Sequence, residues 1–145
     1  MKRTVIIEII SLLLVILFLY TGLSKMLDYD LFKGVIGTSP ILKPIAPFIA
    51  ITLPTFECIV AVLIFIPKTR WIGLYIAFIM MIIFTAYIVA ILSYGEHIPC
   101  SCGGVLEEMS WQTHLVFNII FTCLSAWAIY LNRKEHRQLS STIIQ

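Results

Sequence analysis

The sequence predicts an all-α, polytopic membrane protein: a bundle of four transmembrane helices, with a short amphipathic helix at the membrane interface in the first loop. Of the 145 residues, 60% are hydrophobic and only 12% are charged, and the mean hydropathy is +1.00. A water-soluble domain of this length needs far more polar surface. The apolar runs are also continuous, whereas the strands of a transmembrane β-barrel alternate apolar and polar residues.

Four apolar runs are each about long enough to cross a bilayer as a helix, which takes roughly 20 residues. The predicted spans cover residues 4–24, 45–66, 71–93 and 111–131. Too little chain remains between them for another domain, so residues 1–145 are predicted to form a single one. The first run follows Lys2 and Arg3, as a secretory signal peptide would. It is long for a signal peptide, contains Glu8 and has no cleavage site, so we expect an uncleaved helix.

The first loop has a helical pattern of its own. Its apolar residues recur at helical spacing, at Leu27, Leu31, Phe32, Val35 and Ile36. Charged residues lie between them. This spacing predicts a short amphipathic helix lying in the outer interface.

The basic residues predict the orientation. Seven of the ten Lys and Arg lie at the N-terminus, in the second loop and near the C-terminus, whereas the third loop has none. Because cytoplasmic segments are enriched in Lys and Arg, this distribution predicts how the multi-pass protein is oriented. We expect the membrane to be the bacterial inner (cytoplasmic) membrane. Both termini are then cytoplasmic and the third loop is external. The net charge of +2 reflects this topology, so we expect contact with membrane lipid and no nucleic-acid partner.

The third loop contains the residues with the clearest chemistry. Cys100 and Cys102 are separated by one residue and are followed by two glycines. A disulfide ring this small needs unusual backbone geometry, which glycine permits. Strained, exposed disulfides exchange readily with other thiols, and the external side of the membrane is the oxidising one. We therefore predict that Cys100 and Cys102 are a catalytic redox pair.

Two charged residues are predicted to meet inside the bundle. Glu57 lies near the middle of the second span, where an ionised carboxylate cannot face lipid. Lys25, at the outer end of the first span, is the nearest basic candidate. An ion pair or hydrogen bond that locks the bundle is the favoured interpretation, and a proton-handling role is the alternative.

The fourth span has a polar face just below the outer surface. His114 and Asn118 lie on that face at helical spacing. Interhelical hydrogen bonding is the favoured explanation for both. The alternative places His114 near the loop thiols, where it assists thiolate formation or moves a proton. His97, in the loop itself, is a competing candidate for that role.

Two further cysteines lie at similar depth in the second and fourth spans. Cys58 and Cys123 could meet if these two helices were neighbours. A lone buried cysteine is usually a small apolar side chain, and that is the favoured interpretation. A second dithiol would lie on the order of 15–20 Å below the loop. A quinone could bridge that distance, but no quinone motif is recognisable, so the cofactor stays unknown.

Three short segments carry a family resemblance: GLSKML at 22–27, LPTFE at 53–57 and CSCG at 100–103. Within a four-helix chain they are similar to the MauE family, which resembles the DoxX group of small four-helix membrane proteins. The resemblance covers nearly the whole chain. It implies a role in disulfide formation in exported proteins; the family is named for maturation of methylamine dehydrogenase, a disulfide-rich partner. It also implies that Cys100 and Cys102 are the redox pair, with Lys25 and Glu57 as polar bundle positions.

Three functions from different classes agree with these observations. The first is a thiol–disulfide oxidoreductase-like protein that exchanges electrons, through Cys100 and Cys102, with an external thioredoxin-like protein or an exported disulfide-containing client. The second is a copper- or zinc-handling module with the two thiols and His97 or His114 as ligands, although these ligands are few. The third is a structural or accessory subunit of a larger membrane complex. Replacing both cysteines by Ser distinguishes the three functions. Loss of partner capture supports exchange, loss of bound metal supports metal handling, and no effect supports the structural role.

Overall fold

α-Helices make up most of the computed structural model, which describes residues 2–39, 42–94 and 111–143. The helices are α1 (Lys2–Leu27), α2 (Tyr29–Thr38), α3 (Ala46–Phe65), α4 (Arg70–Tyr94) and α5 (Trp111–Ile143), and the 3-10 turn Lys43–Ile45 leads into α3. Four stretches are long and apolar enough to cross a membrane: Arg3–Leu27, Lys43–Phe65, Arg70–Ala90 and Gln112–Lys134. The predicted all-α class with four spanning helices is confirmed.

The four long helices form a ring in which each packs on two neighbours. α1 packs on α3 and α5, and α4 packs on the same two helices, so α3 and α5 lie diagonally across the bundle. Buried apolar side chains from all four fill the centre, among them Leu14, Phe18, Val60, Ile64, Leu74, Ala77 and Ala128. Large apolar side chains such as Phe48, Ile83 and Val116 are exposed on the outside. An apolar exterior around helices that satisfy their own backbone groups suits a lipid environment.

The bundle has two distinct ends. The end formed by the start of α1, the α3–α4 turn and the last turns of α5 carries seven of the ten basic residues, and we call it the basic end. There the Arg133 guanidinium lies 5.7 Å from the centre of the Tyr75 ring, which ties α5 to α4. We call the opposite end, where α1 and α4 finish and α3 and α5 begin, the loop end. The segment 95–110 connects α4 to α5 at the loop end.

Glycines allow two pairs of helices to approach closely. A Cβ atom added to Gly73 of α4 would lie 2.7 Å from the backbone nitrogen of Ile64 in α3. A Cβ added to Gly22 of α1 would lie 2.9 Å from Cys58 Sγ and 3.0 Å from the Pro54 carbonyl oxygen. Small residues are typical of membrane helix interfaces because they let backbones come together. Gly22 therefore sets the separation of α1 and α3.

The amphipathic helix predicted in the first loop is α2. Phe32 and Ile36 are buried against Ala46 and Ala50, in the first two turns of α3. Leu27, at the start of the predicted apolar stripe, is exposed. Because α1 ends alongside the middle of α3, α2 covers the part of α3 that α1 does not reach.

The two cysteines inside the spans do not pair. Cys58 and Cys123 are both free, the first half-buried beside Gly22 and the second exposed on α5. Their helices are diagonal in the ring. The possibility that they form a second dithiol is therefore wrong, because it required α3 and α5 to be neighbours.

Candidate functional site

A cavity of about 130 Å³ lies between α1, α3, α4 and α5, towards the loop end. Most of its wall is apolar, and its aromatic side chains are Phe18, Phe84, Tyr87 and Phe117. Its charged and polar groups include the four supporting residues that the sequence singled out inside the spans: Lys25, Glu57, His114 and Asn118. The fold thus brings together side chains that are separated by up to three helices along the chain.

Lys25 and Glu57 form the predicted ion pair. Lys25 Nζ donates to Glu57 Oε1 over 2.6 Å, joining the last turn of α1 to the middle of α3. Glu57 is 1% exposed and Lys25 is 8% exposed. Removing one charge from water costs several kcal/mol, roughly, unless an opposite charge lies close by. Each charge is therefore tolerated here because the other is present.

Two aromatic rings cover the Lys25 ammonium group. Nζ lies 5.6 Å from the centre of the Phe32 ring and 5.8 Å from that of Phe84. Such cation–π contacts strengthen when the cation is shielded from water. Lys25 of α1 thereby contacts α2, α3 and α4 through one side chain. α2 is thus part of the site as well as a cover for α3.

The ion pair follows from matched local features of α1 and α3. Gly22 and Lys25 are three residues apart on one face of α1, and Pro54 and Glu57 have the same spacing on α3. α1 and α3 run in opposite directions, and Gly22 packs on both the Pro54 carbonyl and Glu57 Cβ. This close approach brings the Glu57 carboxylate within reach of Lys25, which lies one turn nearer the loop end on α1. Pro54 also lacks a backbone N–H, which leaves the Ala50 carbonyl without its helical donor. Two of the three segments that carry the family resemblance therefore contact each other.

The second oxygen of Glu57 differs from the first. Oε2 is buried and has no hydrogen-bond partner among the described residues. The Thr21 hydroxyl lies close to the carboxyl group but donates to the Phe18 carbonyl, over 3.4 Å. A buried acceptor without a donor costs roughly 1–3 kcal/mol. Oε2 is thus a buried acceptor, and the Thr21 hydroxyl is the donor that lies near the carboxyl group.

His114 and Asn118 line the cavity from the first two turns of α5. Asn118 is buried, and its Nδ2 donates to the His114 carbonyl oxygen over 3.2 Å. Thr122 continues the pattern, donating from Oγ1 to the Asn118 carbonyl over 2.7 Å. The Asn118 bond is internal to α5, unlike the interhelical bond that the sequence suggested. Short polar side chains often bond the backbone of their own helix in this way.

The loop residues of the predicted site lie outside the described residues. Cys100, Cys102 and His97 all belong to the segment 95–110. The proximity of the two thiols to His114 therefore stays a prediction. In the part of the chain that the structure describes, no group of three or more His, Cys, Asp and Glu side chains could hold a metal ion. The metal-handling alternative, with the two loop thiols and His97 or His114 as ligands, therefore stays a prediction.

Sequence reasoning missed the aromatic wall of the cavity. Phenylalanine occurs in all four spans, and its presence does not distinguish a cavity face from a lipid face. The spacing of Phe84, Tyr87 and Ile88 does predict that the three share one face of α4. Which neighbour that face meets depends on the order of helices in the ring.

A family model described as "Methylamine utilisation protein MauE" matches residues 3–131. The match covers the first three spanning helices, most of the fourth spanning stretch, the Lys25–Glu57 pair and both loop cysteines. The chain belongs to the MauE family. The resemblance seen in the three short segments is therefore confirmed. Searches of the curated proteins and of the solved structures found no match for this MauE-family protein.

Proposed function

We propose that this MauE-family protein is a membrane thiol–disulfide exchange protein that supports disulfide formation in exported proteins. The carrying observation is one of position. The segment with Cys100 and Cys102 joins α4 to α5 at the loop end. The cavity with the Lys25–Glu57 pair lies in the same half of the bundle. Family membership supports a membrane accessory role.

The length of the connecting segment is compatible with contact between the thiols and the cavity. His114 is three residues into α5, about 4.5 Å below its first residue by helix rise. Cys102 is nine residues before Trp111, which an extended chain spans in about 30 Å. The loop can therefore reach the cavity while the four spanning helices keep their places.

The proposed exchange needs no group beyond the two partners. A thiolate of the client attacks one sulfur of the Cys100–Cys102 disulfide, breaking the S–S bond and forming a mixed disulfide. The second client thiolate then attacks the mixed disulfide. The client leaves with a new disulfide, and Cys100 and Cys102 are left as thiols. Two electrons and two protons pass from client to protein, and an external thioredoxin-like partner would react in the same way.

We propose that the protein lies in a bacterial inner membrane. Its loop end is on the external side and its basic end is on the cytoplasmic side. In a variant carrying Cys58→Ser and Cys123→Ser, we expect a membrane-impermeant maleimide to label Cys100 and Cys102 in intact, reduced cells. Lys68→Cys in a cysteine-free chain is the matched control, because Lys68 is exposed at the basic end. It should react only after permeabilisation. The opposite labelling pattern would contradict the orientation and the proposed function with it.

Single replacements of the loop cysteines are expected to separate their roles. Either Cys100→Ser or Cys102→Ser, whichever removes the resolving thiol, should accumulate a mixed disulfide with a second protein, because the attacking thiol cannot be released. Alkylation in intact cells followed by nonreducing electrophoresis measures this species.

The double replacement should abolish the captured species and leave the bundle folded, because helices satisfy their own backbone hydrogen bonds. Cys123→Ser, which removes an exposed thiol on α5, is the control and should change nothing. Capture in neither single variant would refute exchange. Stoichiometric metal bound by the wild-type protein would then favour the metal-handling function.

A further inference from the structure

We infer that the seam between α4 and α5 at the basic end binds an anionic phospholipid. The lipid phosphate lies on the Arg133 guanidinium, and an acyl chain lies along the adjoining face of α4. This site is at the opposite end of the bundle from the proposed exchange, and it does not depend on that function.

The Arg133 side chain is held in place without using its hydrogen-bond donors. Its guanidinium lies 5.7 Å from the centre of the Tyr75 ring, and a cation over the face of an aromatic ring is attracted to it. Arg133 is exposed, and no ion pair or hydrogen bond joins it to another described residue. A guanidinium has five N–H donors in a planar fork that matches a phosphate group. Arg133 therefore presents an oriented set of donors that an anion can use.

The charge of the basic end complements an anionic headgroup. This end carries seven of the ten Lys and Arg but two of the eight Asp and Glu, namely Glu8 and Glu135. Lys134, the neighbour of Arg133, is exposed as well. Clusters of basic residues next to a spanning helix attract anionic lipids. A zwitterionic lipid carries a cation of its own, which this surplus of positive charge disfavours.

The seam lies at the depth where lipid phosphates are found. α4 and α5 pack on each other. Arg70 is the first residue of the apolar spanning stretch in α4, and Lys134 is the last residue of the one in α5. Arg133 is therefore at the edge of the hydrocarbon core, next to the headgroup region. A lipid phosphate at this depth comes within reach of the guanidinium.

The face of α4 beside Arg133 provides a surface for an acyl chain. Trp71, Tyr75 and Ile79 follow one another at a spacing of four residues and share this face. Trp71 is 51% exposed and Ile79 is 54% exposed. The Trp71 ring meets the Tyr75 ring edge to face, with 6.5 Å between their centres. The face leads from Arg133 into the hydrocarbon region, which favours a phosphate that carries acyl chains over a soluble phosphate ion.

Binding is tested by the fluorescence of Trp71, which is the only tryptophan left in the full chain after Trp111→Phe and Trp127→Phe. Bromine on an acyl chain quenches a tryptophan that the chain touches. The protein is placed in nanodiscs of mixed phosphatidylglycerol and phosphatidylcholine, with bromine on one lipid at a time. The two quenching curves give the relative affinity of the lipids beside Trp71. We expect phosphatidylglycerol to be preferred by about fivefold or more.

Variants of the seam distinguish an oriented site from a diffuse effect of charge. Arg133→Gln should remove most of the preference, because the group that binds the phosphate is lost. Lys68→Gln is the matched control, because it removes one exposed charge from the turn between α3 and α4, and it should keep most of the preference. Tyr75→Leu keeps every charge but removes the ring under Arg133, so it should lower the preference, whereas Tyr75→Phe should not.

Equal quenching by the two lipids in the chain with an intact seam would overturn the inference, and this comparison needs no variant of Arg133 or Tyr75. Equal losses in the Arg133→Gln and Lys68→Gln chains, or no loss in Arg133→Gln, would overturn the site. Inorganic phosphate, added against chloride at the same ionic strength, should not displace phosphatidylglycerol. Displacement would show that the seam binds a soluble anion and would overturn the assignment to a lipid.

Discussion

Replacing Glu57 by Leu is expected to destabilise the bundle by about 3–5 kcal/mol, because it removes one partner of a buried ion pair and leaves the other charge uncompensated. Lys25 would remain among Phe32, Phe84 and apolar side chains, with little access to water. Unfolding of the purified protein in detergent, followed by circular dichroism, measures the free-energy change. Lower accumulation in the membrane should accompany it.

A double-mutant cycle separates the ion pair from simple packing. The Lys25→Met/Glu57→Leu chain should recover most of the lost stability, because two apolar side chains of similar volume replace both charges. Glu57→Gln should cost less than Glu57→Leu, since it keeps an acceptor oxygen for Lys25. Glu8→Leu is the matched control, because Glu8 is an exposed carboxylate on α1, and it should change stability by no more than about 0.5 kcal/mol. A Glu57→Leu chain as stable as the wild type would show that the pair has no structural role.

Gly22→Leu is expected to have the second-largest effect. Its Cβ alone would lie 2.9 Å from Cys58 Sγ and 3.0 Å from the Pro54 carbonyl oxygen, so α1 and α3 must move apart. Overpacking of a tight contact costs about 1–3 kcal/mol. Because Lys25 lies one turn along α1 from Gly22, the displacement would also lengthen the 2.6 Å contact with Glu57.

Three further chains make the Gly22 prediction specific. Gly34→Leu on α2 is the matched control, because no atom lies within 4 Å of a Cβ added there, and it should be as stable as the wild type or slightly more so. The Gly22→Ala/Cys58→Ala chain should regain part of the stability that Gly22→Ala alone loses. The reason is that Cys58 Sγ, the atom nearest to the added Cβ, is then absent. Thermal melting of the four chains decides between these outcomes. Equal melting of the Gly22→Leu and Gly34→Leu chains would contradict a close contact between α1 and α3.

The combined effects of Gly22, Lys25, Pro54 and Glu57 explain why two short segments carry a recognisable signature. In each segment one residue, Gly22 or Pro54, shapes the helix contact, and the residue three positions later supplies a charge. Changing one of the four alters the environment of the other three. The remaining segment, with Cys100 and Cys102, carries the chemistry that we propose.

Several features of the protein are determined by the sequence alone. Hydropathy predicts the four spans, because each apolar run must be a helix to satisfy its own backbone groups in lipid. The Lys25–Glu57 pair is also predictable, since an ionised group within a span needs an opposite charge and Lys25 is the nearest basic candidate. The helical spacing of apolar residues in the first loop predicts α2. These conclusions depend on single residues or on residues close together in the chain.

Only the tertiary structure decided which helices are neighbours, and the cavity follows from that order. α3 and α5 lie diagonally, so Cys58 and Cys123 do not meet. α1, α3, α4 and α5 instead converge around Phe84, Asn118 and the ion pair. Lipid is as apolar as the side chains of these helices, so hydropathy does not specify which faces pack together. Close approach at small residues such as Gly22 and Gly73, and pairing of buried charges, select one arrangement, and both depend on contacts between residues far apart in the sequence.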